Sequence, residues 1–556
     1  MYDESPLDPN LRAAAEAWRE QDPDAATAQA LADLVDRAET GDQEALAELT
    51  DAFAGPLTFG TAGLRAALGP GPGRMNRVVV SQAAAGFAAW LRANGHQGGR
   101  VLIGYDARYN SDVFARDTAE IMAGAGFEAW VTDRSTPTPV VAFGIGEFDC
   151  VAAVVVTASH NPPADNGYKV YLGDGSQIVP PTDAEIADQI AAVAARPLHE
   201  IPRSEQYTLV GDELVSAYVA RAGSLVAEGS PREVRWVYTP MHGVGARVVD
   251  RVVAAAGLPP GLAVAQQVDP DPAFPTVAFP NPEEPGAIDL AIALAKEQGA
   301  DLVVANDPDA DRCAVATVVD GQWRMLTGDE LGALLGDDAL RRGREGVYSC
   351  SVVSSTLLQR MAEAHGREFR STLTGFKWIG RVPGLAFGYE EAIGYCTDPA
   401  KVPDKDGITA LVNVLRLAAG LKAEGRTLAD RLDEIACEYG LHTTGQLSVR
   451  VADLGIIADS MARLRANPPS HLLGEPVVVR DLSEPGGELP ATDAIELTGE
   501  RLHVVARPSG TEPKLKCYLE VRATPEETAA DLAGTRERLV TELAGLRDEM
   551  AAALGL

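Results

Sequence analysis

The stretch VAAVVVTASHNP, Val151 to Pro162, runs an apolar segment of strand type into a polar loop that sets a serine beside a histidine. The same alternation recurs as VLIGYDAR (101–108), VRWVYTPMHGVG (234–245), DLVVANDPDADR (301–312), GVYSCSVVSS (346–355) and LAFGYEEAIGY (385–395), with helical stretches between them. Strands that alternate with helices predict an α/β fold with largely parallel sheets. In such sheets ligands sit beyond the carboxyl ends of the strands. The unusual polar sequences of this chain occupy those strand-end loops, so they are the candidate site. The tail differs: LHVVARPSGTEPKLKCYLEVRA (502–523) reads as strand, loop, strand, and Thr524-Pro525-Glu526-Glu527 supplies an N-cap, a first-turn proline and a capping-box glutamate for a C-terminal helix. That pattern predicts a separate α+β domain. Residues from about Asn10 to Phe53 are rich in Ala, Glu and Leu and read as a helical extension packing on the body.

A chain of 556 residues exceeds what one hydrophobic core supports, which predicts three or four domains. The formal charge of −32 argues against nucleic acid or an anionic membrane as partner. An anionic small substrate stays open, because screening over roughly 8 Å lets a local cluster of Lys and Arg set the potential of a cleft. The six cysteines are scattered with no C-x-x-C pair, so neither a disulfide framework nor a zinc site is expected. The opening MYDESPLDPN is acidic where a signal peptide is basic, and no apolar run nears the ~18 residues of a membrane span. A cytoplasmic protein is the expectation.

Asp307, Asp309 and Asp311 alternate directly after the strand DLVVAN, with Arg312 beside them. Three carboxylates so spaced converge on one hard cation, Mg²⁺ or Ca²⁺ rather than zinc; a solvated acidic turn is the alternative. An EF-hand is excluded, since its sixth and twelfth loop positions are Arg312 and Val318 instead of Gly and Glu. Arg507, Ser509, Gly510, Thr511 and Lys514 form a plausible phosphate cradle. Glu390 and Glu391 suit vicinal hydroxyls such as those of a sugar, with a charged turn as the alternative. Lys377 in TGFKWIG, Lys405 in DKDG and Arg65 in FGTAGLR add cations, each of which binds phosphate or is simply solvated. For Ser159 and His160, an acyl-transfer dyad reads poorly: neighbours in an extended segment point to opposite sides, and no G-x-S-x-G elbow surrounds the serine. Phosphoryl transfer, with the serine hydroxyl accepting and returning phosphate, fits better.

TASHNP, DPDADR, the EEAIG loop and RPSGTEP, in that order, resemble the four signature loops of the α-D-phosphohexomutases, the phosphoglucomutase and phosphomannomutase family, from about Phe53 to the C-terminus. The resemblance implies a four-domain, heart-shaped architecture, three α/β domains with mixed sheets and a C-terminal α+β domain around one central cleft. The expected divisions are an extension over 1–52 and domains over 53–208, 209–325, 326–438 and 439–556. It implies that Ser159 is the phosphoserine, that Asp307, Asp309 and Asp311 hold Mg²⁺ together with its phosphate, and that Glu390 binds sugar hydroxyls. Arg507, Ser509, Gly510 and Thr511 then bind the non-reacting phosphate, with Arg312, Lys377 and Lys405 as further substrate ligands. Arg65, Lys169 and His160 stand near the serine, and Lys169 and His160 are both candidate bases.

The implied reaction passes phosphate from Ser159 to a phosphosugar and back through a reorienting glucose 1,6-bisphosphate. Ala392 stands where many phosphoglucomutases carry serine, and Lys377 where bacterial phosphomannomutase/phosphoglucomutase relatives carry histidine. With FGTAGLR and DKDG, these features are similar to the branch of bacterial phosphoglucomutase, phosphopentomutase and glucose 1,6-bisphosphate synthase. Interconversion of glucose 1-phosphate and glucose 6-phosphate is the expected activity, with mannose or pentose phosphates, or bisphosphate synthesis, as alternatives. Monomer and homodimer both remain open.

Overall fold

The computed structural model describes residues 7–60, 63–451, 453, 455–484, 489–509 and 514–556. It divides into two compact units: Met1–Gly229 with Arg235–Ala314 and Lys401–Val412, and Ser230–Val234 with Val315–Ala400 and Asn413–Leu556.

In the first unit, three helices, Pro9–Gln21, Ala25–Glu39 and Gln43–Ala52, each begin on an aspartate whose side chain accepts backbone N–H groups (Asp8, Asp24, Asp42). Their buried faces, with Trp18, Leu31, Leu34 and Leu49, share one apolar cluster with Phe87, Val101 and Val154 of the body. Each such side chain contributes ~1.5–3 kcal/mol on burial, so the extension is part of this core and not an appendage. The main sheet has six strands in the order Leu64–Ala67, Asp165–Leu172, Ala152–Val156, Arg100–Tyr105, Glu128–Thr132, Thr208–Val210. The last four pair in parallel, and Asp165–Leu172 runs antiparallel to both of its neighbours. Ala152–Val156 is buried at every position, as expected of a parallel strand covered on both faces. In the same unit Trp236–Thr239 pairs in parallel with Leu262–Ala263 and with Leu302–Ala305.

The second unit carries the hairpin of Ala314–Val319 with Gln322–Met325, whose first residue belongs to the first unit. Its mixed four-stranded sheet is ordered Phe369–Thr372, Val347–Ser351, Leu385–Glu390, Gly394–Cys396, with only the last pair antiparallel. A five-stranded antiparallel sheet follows, ordered His442–Arg450, Lys514–Arg522, Leu502–Pro508, Ile495–Thr498, Val478–Asp481. The long helix Leu532–Leu554 packs on it through Leu539, Leu546 and Met550. Thr524 caps the short helix Pro525–Ala530 with a reciprocal bond to Glu527, the box read from the sequence. The architecture is thus α/β with mixed sheets and a C-terminal α+β part. Among the described residues no helix is long and apolar enough to cross a membrane.

Candidate functional site

Ser159 follows the strand Ala152–Val156 by three residues, and its backbone is left-handed, with φ of 51°. Its N–H donates to the hydroxyl of Thr157 at 2.8 Å, a local turn that helps hold this uncommon conformation. The expectation that Ser159 and His160 diverge is therefore corrected. The segment is not extended there, and the serine Oγ lies 3.3 Å from His160 Nδ1. The serine hydroxyl donates to Asp307 Oδ2 at 2.8 Å. Burial, then Arg312 and Arg65, hold His160 well below the usual imidazole range, so its ring is neutral.

Asp307, Asp309 and Asp311 follow the strand Leu302–Ala305 and are almost fully buried. The loop is fixed from within: Ala310 sits at φ of 57°, the Arg312 N–H donates to Asp307 Oδ1 at 3.0 Å, and Asn306 Nδ2 donates to the Arg312 carbonyl at 2.6 Å. From outside, the Thr138 hydroxyl donates to Asp309 Oδ2 at 2.6 Å. Lys169 Nζ meets Asp309 Oδ2 at 2.7 Å and Asp311 Oδ2 at 2.8 Å, and Lys405 Nζ stands 3.4 Å from Asp311 Oδ2. Burial opposes the charge of Lys169, but Asp309 and Asp311 outweigh it and leave its pKa raised. Asp307 is pushed well above the carboxylate range by burial and by the other two aspartates. For Asp311 burial pushes the same way, and Lys169, Lys405 and Arg312 prevail to lower it.

One oxygen from each of the three aspartates lies within 4.8 Å of the others. Asp309 Oδ1 and Asp311 Oδ1 are buried and, among the described residues, take no hydrogen bond. Buried, unsatisfied carboxylate oxygens crowded together are the donor set of a hard divalent cation, and the residues present fit one.

Neighbouring elements place Arg65 and Lys405. Arg65, on the edge strand Leu64–Ala67, donates to Asn161 Oδ1 at 3.1 Å. Lys405 is seated by its neighbours: Asp404 accepts the Tyr171 hydroxyl and Gln177 Nε2, each at 2.8 Å, and Asp406 accepts the Tyr218 hydroxyl at 2.7 Å. Gly407 then lies so close to the aspartate loop that a Cβ there would sit 2.2 Å from the Arg312 carbonyl oxygen. Arg312 itself points Nη1 to Glu283 at 3.7 Å.

The second unit holds the remaining predicted residues. Glu390 ends the strand Leu385–Glu390. Its neighbour Glu391 accepts the hydroxyls of Ser351 and Ser354 at 3.0 and 3.2 Å. Lys377 lies on the single-turn helix Phe376–Ile379, after Gly375 at φ of 105°. Arg507 is near the end of the strand Leu502–Pro508, and the Ser509 N–H donates to the Lys514 carbonyl at 2.8 Å. Gly510 and Thr511 lie outside the described residues. Burial, then Glu391, raise the Tyr518 phenol well above its ordinary range. Sequence reasoning missed Thr138 and Tyr518, neither of which lies in a signature loop, and it did not assign Asp404 of DKDG or Glu391 of EEAIG the protein hydroxyls they accept.

Residues 56–196, 216–319, 327–439 and 448–536 match, in order, the alpha/beta/alpha domains I, II and III and the C-terminal domain of phosphoglucomutase/phosphomannomutase. The chain is 50% identical over 464 residues to a probable phosphomannomutase of Haemophilus influenzae, covering 82% of this chain and 94% of that protein. It is 36% identical over 538 residues to a phosphopentomutase of Homo sapiens, covering 86% and 87%. The solved structure of a phosphoglucomutase/phosphomannomutase family protein from Burkholderia thailandensis shares the fold, with a TM-score of 0.69 at 20% identity over 89% of this chain and 97% of that one.

Proposed function

Because the chain belongs to the phosphoglucomutase/phosphomannomutase family, the α-D-phosphohexomutases, we propose that this mutase interconverts glucose 1-phosphate and glucose 6-phosphate through a phosphoserine at Ser159. The observation that carries the reading is the serine hydroxyl resting on Asp307 while Lys169 bridges Asp309 and Asp311. In the first half-reaction a sugar hydroxyl oxygen attacks the phosphoserine phosphorus, the P–Oγ bond breaks, and glucose 1,6-bisphosphate forms. After the bisphosphate turns round, Ser159 Oγ attacks its other phosphate and the monophosphate leaves. Of the two bases expected from the sequence, Lys169 is held as an ammonium by Asp309 and Asp311 and has no lone pair to take the hydroxyl proton. The proton therefore passes to His160, whose Nδ1 lies 3.3 Å from the serine Oγ; His160→Ala and Lys169→Met, compared in pH profile, test that assignment.

Asp307, Asp309 and Asp311 would hold Mg²⁺ beside the Ser159 phosphate. When bound, the cation neutralises charge on the transferring phosphoryl oxygens. Arg65, Lys405 and Arg312 add fixed positive charge for the same oxygens. Glu390 accepts sugar hydroxyls; Arg507, Ser509, Gly510 and Thr511 hold the phosphate that is not transferring, and Lys377 adds to them.

A second reading, mannose or pentose phosphate as the preferred substrate, is favoured by the names of the two relatives. A coupled assay with glucose, mannose and ribose 1-phosphates, Mg²⁺ and a trace of the matching bisphosphate decides between them. Glucose 1-phosphate should give the highest kcat/KM, and a higher value for mannose or ribose overturns the glucose assignment.

A further inference from the structure

Arg108, in the strand-end loop GYDAR, makes an unusual set of contacts for a buried guanidinium. Nη2 donates to the carbonyls of Ser159 at 2.6 Å and Asn161 at 2.5 Å. Nη1 donates to the carbonyls of Pro162 at 2.8 Å and Asp165 at 3.1 Å. One side chain thus grips four backbone carbonyls across the seven-residue span from Ser159 to Asp165. The grip is itself held: Nε faces Asp106 Oδ2 at 3.3 Å, both side chains are only 1% exposed, and the guanidinium lies 5.0 Å from the centre of the Phe274 ring. Asp106 Oδ1 in turn accepts the Arg108 N–H at 3.0 Å and the Ser111 hydroxyl at 2.7 Å.

The left-handed backbone of Ser159 costs on the order of 1–3 kcal/mol in a non-glycine residue and persists only where its surroundings over-determine it. Here the determining groups are Thr157 on the serine N–H side and Arg108 on the carbonyl side. That conformation brings the serine Oγ to Asp307 and to His160 Nδ1. Among the described residues the terminal nitrogens of Arg108 donate to backbone carbonyls, and none donates to the serine hydroxyl or to the aspartate loop.

We propose that Arg108 is the positioning residue for the nucleophilic serine: its fork fixes the Ser159 loop in the left-handed geometry that aims Oγ, and Asp106 fixes the fork. The proposal rests on the reading of Ser159 as the phosphoserine. Lysine in its place keeps the charge and much of the bulk but offers a single ammonium that cannot span four carbonyls. Misplacing a reacting atom by about 1 Å lowers the rate on the order of 100-fold. The grip does not involve the groups proposed to bind the sugar, so the effect should fall on kcat and not on KM. A displaced phosphoserine also becomes open to water: the water oxygen attacks phosphorus, the P–Oγ bond breaks, and inorganic phosphate leaves as the serine hydroxyl is regenerated.

The test compares Arg108→Lys, Arg108→Ala, Asp106→Asn and Ser159→Ala with the native enzyme, Mg²⁺ present, with rates referred to the folded fraction measured by circular dichroism. For Arg108→Lys we expect kcat to fall about 10–100-fold with KM within about twofold, and inorganic phosphate released per turnover to rise about tenfold or more. Asp106→Asn should show the same signature more weakly. Folded Arg108→Lys with native kcat and native phosphate leakage overturns the proposal. So does a loss accounted for by the folded fraction, whether in Arg108→Lys or in Arg108→Ala. Ser159→Ala distinguishes the two levels: if it is inactive while the Arg108 variants are native, only the positioning role falls; if it turns over at the native rate, the phosphoserine reading falls and the proposal with it.

Discussion

Replacing Lys169 by Met removes the ammonium that joins Asp309 and Asp311, and methionine retains much of the stem's bulk, so the change is chiefly electrostatic. Lys169 is 5% exposed and the two aspartates 1% or less, so water cannot replace the lost partner. Breaking one side of a buried pair costs ~3–5 kcal/mol. The Thr138 hydroxyl remains on Asp309 Oδ2 and Lys405 remains 3.4 Å from Asp311 Oδ2, which places the expected loss at the lower end. At roughly 2–4 °C per kcal/mol for a large domain, the chelator-treated variant should melt ~6–12 °C below the native protein. A divalent cation restores positive charge to the same carboxylates, so Mg²⁺ should raise the variant's midpoint more than the native one. Differential scanning fluorimetry across a Mg²⁺ titration reads both effects. A variant that melts with the native protein in chelator, or that gains less from Mg²⁺, refutes the ion-pair account.

Asp329 accepts the Ser355 N–H at 2.7 Å and the Tyr389 hydroxyl at 2.9 Å, yet burial and Glu391 push its carboxyl up to about 7. The folded protein therefore holds this proton while the unfolded chain releases it near pH 4, so the contribution of this group to stability is fully present below pH 4 and is lost as pH rises to about 7, by on the order of 4 kcal/mol. Asp329→Asn should flatten that slope in melts at pH 5 and 8, and an unchanged slope counts against it. Gly407→Ala must push against the Arg312 and Ala310 carbonyls, at 2.2 and 2.8 Å from the new Cβ; it should weaken the midpoint shift given by Mg²⁺ at least as much as it lowers stability, and native cation response would contradict the packing.

The α/β order was legible because buried parallel strands are apolar runs, and Ala152–Val156 and Leu302–Ala305 end where the sequence turns polar. The aspartate loop was legible for the same reason: three carboxylates in five residues after such a strand announce themselves. The divergence expected of Ser159 and His160 failed on one dihedral, the positive φ of the serine, which is set by Thr157 and Arg108 and not by any local preference for glycine or asparagine. Arg108 carries its contacts across more than fifty positions of chain, and Asp404 reaches Tyr171 from 233 positions away; neither leaves a periodic trace. The C-terminal helix start was legible because its cap is local, from Thr524 to Glu527.

The most direct test follows the phosphate. Enzyme charged with glucose 1,6-bisphosphate carrying ³²P should hold label on the peptide containing Ser159, approaching one phosphate per chain, and should deliver it to the sugar when unlabelled glucose 1-phosphate and Mg²⁺ are added. Ser159→Ala should take up none. Label on another residue, label released chiefly as inorganic phosphate in the native enzyme, or full turnover without a labelled chain would contradict the account.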